Sequence, residues 1–225
     1  MWGSAKQSTE YSLGLNLFDA PDMGAGLFVG RETELQEMEN ILQPKSKSPD
    51  RRVLILGGMG GIGKTQLAIN YAKQHRDSYS SIFWLNATSE ATLNSSLRVL
   101  ANRILLPATV GKLDDDQLRI EVLNWLSELE NFRWLLILDN HDDPDGYKIQ
   151  EYFPFVAHGS IIITTRLPDR LTGKKIKVRS MKKEEDSLRI LATRSGREDT
   201  ESGDNILALS LETLLIDGQM PELFN

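Results

Sequence analysis

The chain has 225 residues, a length that suits one full α/β domain with a small addition. Apolar residues make up 40% and charged residues 26%, which is the balance of a globular protein and excludes a disordered chain. The formal net charge of −6 argues against a general electrostatic attraction to nucleic acid or to anionic membranes. The chain has no cysteine, which excludes disulfides, thiolate zinc sites and cysteine nucleophiles.

The beginning of the chain shows no targeting or membrane signal. No apolar run is long enough to span a membrane, and the first residues lack the apolar core of a signal peptide. These observations predict a cytoplasmic protein that binds neither a membrane nor nucleic acid. Residues 1–26 are polar and interrupted by glycine and proline, which predicts a linker ahead of the first helix.

Segments typical of helices and strands alternate along the rest of the chain. The residues after Gly30 predict a helix, because Leu35, Met38 and Leu42 fall on one stripe. Residues 53–56 are apolar without alternation, which predicts a strand that is buried on both faces of a parallel sheet. The other predicted strands are residues 82–85, 134–138, 160–164 and 176–178.

The predicted helices between these strands have apolar stripes of their own. Ser89 caps one helix, whose stripe consists of Leu93, Leu97, Leu100 and Ile104. Acidic residues open the next helix, whose stripe consists of Leu118, Val122, Trp125 and Leu129. Strands that alternate with helices predict a three-layer α/β sandwich around a mostly parallel sheet. Residues 181–225 predict a partial helical segment at the end of the chain.

One loop carries the pattern of a phosphate-binding loop. It follows the strand at 53–56, leads into a helix, and matches G-x-x-x-x-G-K-[ST] in full as Gly58-Met59-Gly60-Gly61-Ile62-Gly63-Lys64-Thr65. Its glycines allow backbone N–H groups to approach phosphate oxygens. In such loops the lysine, here Lys64, binds the β- and γ-phosphates, and the hydroxyl of Thr65 binds Mg²⁺. The loop therefore predicts a P-loop NTPase fold with a nucleotide site.

Polar residues that follow two other strands extend the predicted site. Asp139 is expected to hold Mg²⁺, because ligands of parallel sheets bind beyond the strand C-termini. Arg166 is expected to contact the terminal phosphate. Asn140 stands where many ATPases carry a second acid, and its amide cannot accept a proton from water, so we expect slow hydrolysis or none. Asp142 and Asp143 either reach into this site or form a solvated turn.

The order of these motifs resembles the NB-ARC domain, the nucleotide switch of NOD-like receptors and apoptotic ATPases in the STAND class of P-loop NTPases. The resemblance covers about residues 27–194. It rests on four motifs in the order of the family, namely Phe28-Val29-Gly30-Arg31-Glu32, the segment from Gly57 to Gln66, the segment from Leu135 to Asp139, and the segment from Gly159 to Arg166. Residues 82–86 and 139–144 look most like fungal members.

The resemblance implies a division of the chain and a set of ligand-binding residues. Residues 27–180 are implied to form the nucleotide-binding domain, and residues 181–225 an incomplete helical subdomain. Val29, Gly30 and Arg31 are implied to line the adenine base. The other implied nucleotide-binding residues are Gly58, Gly60, Gly61, Ile62, Gly63, Lys64, Thr65 and Gln66. Lys64, Asp139 and Arg166 form the implied catalytic set, with Thr65 and Asp139 on Mg²⁺.

Some features of the family are missing from the sequence. The Gly-Leu-Pro-Leu motif of the helical subdomain has only Gly218-Gln219-Met220-Pro221 as a counterpart, and the spacing differs. No residues remain for a winged-helix subdomain, and no effector domain fits in residues 1–26. We therefore expect a fragment, a truncated product or a stand-alone remnant that ends after the nucleotide-binding domain.

Three functional hypotheses follow from these motifs. The leading one is a switch whose bound ATP or ADP sets self-association or contact with signalling partners of the NOD-like receptor type. The alternative is a P-loop ATPase or phosphotransferase that acts on a small substrate, which turnover above about 1 s⁻¹ would favour. A transcription regulator built on the same switch would need a DNA-binding domain, which the length and acidity of the chain exclude.

Overall fold

The computed structural model describes residues 20, 28, 30–43 and 51–180, and the fold is defined by these residues. Most of the predicted linker at residues 1–26 and the whole predicted helical segment at residues 181–225 lie outside the described residues. Val29 also lies outside them.

A parallel sheet of five strands forms the centre of the described domain. The strands are β1 (Arg52–Gly57), β2 (Ser81–Asn86), β3 (Trp134–Asp139), β4 (Ser160–Thr165) and β5 (Lys174–Lys177). They lie in the order β2-β3-β4-β1-β5, and every neighbouring pair is parallel. The predicted parallel sheet is therefore confirmed. Because β4 lies between β1 and β3, the C-terminal ends of these three strands meet side by side.

Helices cover both faces of the sheet. They are α1 (Glu32–Leu42), α2 (Lys64–Gln74), α3 (Glu90–Ile104), the short α4 (Pro107–Val110) and α5 (Asp115–Ser127). One core cluster joins α3 and α5 to one face of the sheet, and a second cluster joins α1 and α2 to the other face. The three-layer α/β sandwich is therefore confirmed. The longest described helix, α3, has 15 residues, and no helix of the described ranges is apolar and long enough to cross a membrane.

Capping residues fix the starts of α3 and α5. The Ser89 hydroxyl accepts a hydrogen bond from the Thr92 backbone N–H, and the Thr92 hydroxyl in turn accepts one from the Ser89 N–H. Asp114 and Gln117 form the same reciprocal pair at α5. Each pair satisfies two backbone donors at a helix start, which is why these helices begin where the sequence predicts.

The predicted stripe of α5 is wrong at its last position. The helix ends at Ser127, and Leu129 lies beyond it in a short turn with 83% of its surface exposed. Leu123 and Leu126 are buried against the sheet instead. A spacing of four residues reaches the same face only while the helix continues, so the prediction failed at the helix end.

Candidate nucleotide-binding site

The P-loop joins β1 to α2 at the C-terminal edge of the sheet. Gly61 and Gly63 have φ angles of 74° and 95°, in the left-handed region that favours glycine. A Cβ atom on Gly58 would lie 2.6 Å from the carbonyl oxygen of Val178, so this position has no room for a side chain. Helix α2 begins at Lys64, and its first turn supplies N–H groups that have no partner within the helix.

The remaining implied ligands of the P-loop and of the first turn of α2 differ in their exposure. Gly60 and Gln66 are exposed, and Ile62 is half-buried against the core cluster of α1 and α2. The loop therefore presents backbone to its surroundings and anchors itself to the core through one apolar side chain.

Lys64 is bound by the carbonyl oxygens of its own loop. Its Nζ donates hydrogen bonds to Gly58 and Met59 at 2.8 and 2.9 Å, and only 8% of the residue is exposed. Burial lowers the pKa of Lys64, while the carboxylates of Asp142 and Asp139 act in the opposite direction. The ammonium group is thus held inside the loop by two backbone carbonyl oxygens.

Asp139 receives hydrogen bonds from two hydroxyl groups. Thr65 Oγ1 donates to its Oδ1 at 2.8 Å, and Thr164 Oγ1 donates to the same oxygen at 2.5 Å. Burial raises the pKa of Asp139, although both hydrogen bonds oppose that rise. Its Oδ2 accepts no hydrogen bond from any described residue. A threonine hydroxyl beside a carboxylate is a donor set that suits Mg²⁺, so the predicted pair of Thr65 and Asp139 fits this ion.

Thr164 was missed by the sequence analysis as a site residue. Besides its bond to Asp139, its hydroxyl accepts the backbone N–H of Asn140 at 2.8 Å. The sequence feature that could have indicated this role is the position of Thr164, directly after the isoleucines of β4 and two residues before Arg166. A hydroxyl at that place connects the ends of β4 and β3.

Asn140 holds a backbone turn. Its φ angle is 67°, a left-handed conformation that asparagine tolerates better than most residues. Its Nδ2 donates a hydrogen bond to Thr88 Oγ1 at 3.0 Å, which directs the amide to the loop after β2. The residue type at this position thus has a conformational reason that the sequence analysis did not foresee.

Arg166 lies against the P-loop and pairs with Asp142. Arg166 Nε lies 2.9 Å from Asp142 Oδ2, and the Arg166 backbone N–H donates to Asp142 Oδ1 at 2.6 Å. A Cβ atom on Gly60 would lie 3.1 Å from both Cζ and Nη2 of Arg166. Asp143 instead accepts the N–H of Gly146 at 3.0 Å and closes a turn. Asp142 therefore reaches into the site, whereas Asp143 lies in an exposed turn.

Gly30 and Arg31 lie at the start of α1, with φ angles of 73° and 71°. Arg31 Nη2 donates to the carbonyl oxygen of Ile62 in the P-loop at 3.0 Å. Its Nη1 donates to Glu34 at 2.9 Å and to the carbonyl oxygen of Arg179, beyond β5. Arg31 therefore joins α1, the P-loop and the segment after β5, and its guanidinium bonds are made to protein atoms.

His141 is buried next to this site. Its Nδ1 lies 3.0 Å from the hydroxyl oxygen of Tyr147, whose proton is donated to the carbonyl oxygen of Ala87. Nδ1 therefore carries the proton of the neutral ring. Nε2 has no hydrogen-bond partner among the described residues, and burial lowers the pKa of the ring.

Solved structures with a similar fold include a signal transduction ATPase and an ORC2 protein. The STAND protein with a tetratricopeptide repeat sensor from Pyrococcus horikoshii is 20% identical, with a TM-score of 0.53 over 89% of this chain and 30% of its own. The ORC2 protein of Aeropyrum pernix, in ADPNP-ADP complexes, is 18% identical, with a TM-score of 0.54 over 80% of this chain and 55% of its own. At these identities the likeness shows the fold alone.

Sequence comparison finds a relative of higher identity. A nucleotide-binding leucine-rich repeat (NLR)-like protein from Hyaloscypha variabilis is 29% identical over 78% of this chain. The match spans only 20% of that relative's length. Residues 31–201 match the NB-ARC domain family, and this range contains the P-loop, Asp139 and Arg166. The chain therefore belongs to the NB-ARC domain family, as the order of its motifs indicated.

Proposed function

We propose that this chain binds adenine nucleotide together with Mg²⁺ and serves as the ATP/ADP switch of a signalling NTPase of the NOD-like receptor type. The observation that carries the proposal is the convergence of Lys64, Asp139 and Arg166 at one edge of the sheet. Two cationic groups beside a glycine loop suit a polyphosphate, and the carboxylate suits its cation.

The P-loop offers two kinds of group for phosphate binding, namely backbone N–H donors and the ammonium group of Lys64. The backbone N–H groups of the loop and of the first turn of α2 are the donors for phosphate oxygens. Lys64 leaves the carbonyl oxygens of Gly58 and Met59 and contacts phosphate instead. The exchange replaces two neutral acceptors by an anionic one, which a buried ammonium group favours.

Thr65 and Asp139 are the residues that would hold Mg²⁺. The ion would neutralise charge on the β- and γ-phosphates. Because Oδ1 of Asp139 already receives two hydroxyl hydrogen bonds, the carboxylate is fixed in one orientation at the end of β3. This fixed orientation supports the assignment of Asp139 as the residue for the cation.

The same geometry supports slow hydrolysis or none. A general base must lie within hydrogen-bond reach of the attacking water. Asn140 cannot accept that proton, and its amide is held by Thr88. Asp142 is paired with Arg166, and Asp139 is assigned to the cation. The described residues of the site therefore offer no uncommitted carboxylate as a base.

The comparisons support the adenine and signalling parts of the proposal. The Aeropyrum pernix structure is described as a complex with ADPNP and ADP, and the Pyrococcus horikoshii protein as a signal transduction ATPase. Self-association or contact with receptor-type partners in the cytoplasm belongs to the same proposal. It rests on the relative in Hyaloscypha variabilis, of which this chain matches a fifth.

The proposal is tested by identifying the nucleotide that the chain retains. Mass spectrometry of the small molecules released from the purified, folded chain should find ADP or ATP. Calorimetric titration of the emptied chain with ATP, ADP and GTP in Mg²⁺ should then show preference for the adenine nucleotides. Absence of binding by ATP and ADP would overturn the proposal. Turnover above about 1 s⁻¹ would favour the enzyme alternative instead.

A further inference from the structure

Asp142 is a carboxylate in the site that the proposed function does not yet use. It makes two contacts with one residue: its Oδ1 accepts the backbone N–H of Arg166, and its Oδ2 lies 2.9 Å from Arg166 Nε. Among the charged groups that act on the pKa of Lys64, Asp142 acts most strongly, and its carboxylate raises that pKa. Asp142 thus belongs electrostatically to the P-loop although it lies outside the motif.

The backbone at the end of β3 explains how Asp142 reaches this place. Asn140 turns the chain with its φ of 67°, and the next residue, His141, donates its N–H to the carbonyl oxygen of Thr164 on β4. The chain therefore crosses the end of β4 directly after β3. Asp142 is brought to the first residue beyond β4, which is Arg166.

The pairing leaves one side of the guanidinium group available. Asp142 contacts Nε, and neither Nη atom of Arg166 has a hydrogen-bond partner among the described residues. Cζ and Nη2 lie against Gly60 at the tip of the P-loop. A bidentate carboxylate would occupy at least one Nη group, whereas the side-chain contact of Asp142 is made with Nε alone and leaves both Nη groups available.

We propose that Asp142 is a positioning residue that orients Arg166 so that its Nη groups meet the terminal phosphate of ATP. This inference rests on the proposed function, because it assigns to Asp142 the preference of the site for ATP over ADP. Asp142 contacts no phosphate itself and acts through Arg166.

The sign of the effect separates this role from two others. Removal of a negative charge close to phosphate would by itself tighten the binding of both nucleotides. Release of a sequestered arginine would tighten ATP binding in particular. Loss of orientation weakens ATP binding and leaves ADP binding nearly unchanged. The three mechanisms therefore predict different changes in the two dissociation constants.

The test compares Asp142→Ala and Asp142→Asn with the matched control Asp143→Ala, whose carboxylate accepts the Gly146 N–H in the neighbouring turn. Dissociation constants for ATP and ADP are measured by calorimetry in Mg²⁺ on the full chain. Asp142→Ala should lower the ATP-over-ADP preference by about tenfold, mainly through weaker ATP binding. Asp142→Asn retains an oxygen acceptor and should lower the preference by about threefold. Asp143→Ala should leave it unchanged.

A double variant tests whether Asp142 acts through the arginine. In an Arg166→Ala background, Asp142→Ala should produce no further loss of preference. Tighter ATP binding by Asp142→Ala, or an unchanged preference in a parent chain that binds nucleotide, would overturn the inference. Failure of the parent chain to bind either nucleotide would overturn the proposed function as well. Should Asp142→Ala fail to fold, the result for Asp142→Asn decides, because no change in preference there refutes the role.

Discussion

Replacement of Lys64 by methionine removes the ammonium group while it keeps an apolar side chain of similar length. The aliphatic part of Lys64 is buried at the start of α2, so methionine can occupy the same space. In the nucleotide-free chain the change leaves the carbonyl oxygens of Gly58 and Met59 without their donor. Met59 is exposed and Gly58 half-buried, so water can replace the donor at little cost. We expect the melting temperature to fall by less than about 4 °C.

The loss of nucleotide affinity should be much larger. Truncation of one partner of a buried charged pair commonly costs about 2–5 kcal/mol. Lys64 gives up two hydrogen bonds when it turns to phosphate, which offsets part of the gain and places the effect in the lower half of that range. A loss of about 2–3 kcal/mol corresponds to about 30- to 150-fold weaker binding of ATP and ADP.

Calorimetric titration of Lys64→Met should be compared with that of Lys73→Met. Lys73 lies exposed on the last turn of the same helix, so its substitution removes the same charge from α2 without touching the P-loop. We expect binding by Lys73→Met to stay within about twofold of the parent. A folded Lys64→Met variant that binds ATP within about threefold of the parent would refute the assignment of the P-loop as a phosphate site.

Three further predictions follow from the site. Asp139→Asn keeps the oxygen that Thr65 and Thr164 contact but loses the charge. Calorimetry should therefore show weaker nucleotide binding than in the parent when Mg²⁺ is present, and equal binding when Mg²⁺ is chelated. Weaker binding that persists with the chelator would contradict the cation role. Arg31→Ala loosens the P-loop at Ile62 and should weaken ATP and ADP alike, and a changed ratio of their dissociation constants would speak against this. Burial lowers the pKa of His141 below 6.5, so the folded state resists its protonation and the free energy of unfolding should fall as the pH drops below 6.5, by at most about 1.4 kcal/mol per pH unit. The free energy of unfolding, measured by urea titration at several pH values between 7.5 and 5, should depend less steeply on pH in His141→Gln than in the parent. An equally steep dependence in the two chains would assign the pH dependence to other groups.

The features that the sequence predicted well are those decided by neighbours in the chain. Unalternating apolar runs such as residues 53–56 form strands covered on both faces, because local pattern and burial agree there. Ser89 and Asp114 cap helices through bonds that span three residues. The P-loop is recognisable for the same reason, since its glycines and Lys64 act within one turn of chain.

The features that could not be predicted depend on contacts between distant residues. Nothing near Arg166 in the sequence indicates that Asp142, 24 residues earlier, contacts both the backbone N–H and the Nε of this arginine. Arg31 was assigned to the base through the resemblance, whereas its bond to the Ile62 carbonyl arises from the packing of α1 beside the P-loop. The left-handed turn at Asn140 likewise reflects the crossing over β4, which the sequence does not encode in a recognisable motif.

The strand order has a consequence for how the chain folds during synthesis. Both neighbours of β1 in the sheet, β4 and β5, lie about 100 residues or more later in the chain. Strands β2 and β3 can pair with each other earlier. A ribosome-bound chain therefore carries β1 and its loop without strand partners until the isoleucines of β4 have emerged. The proposed nucleotide site is consequently among the last parts of the described domain to form, and the unpaired apolar strand β1 is exposed to aggregation before that point.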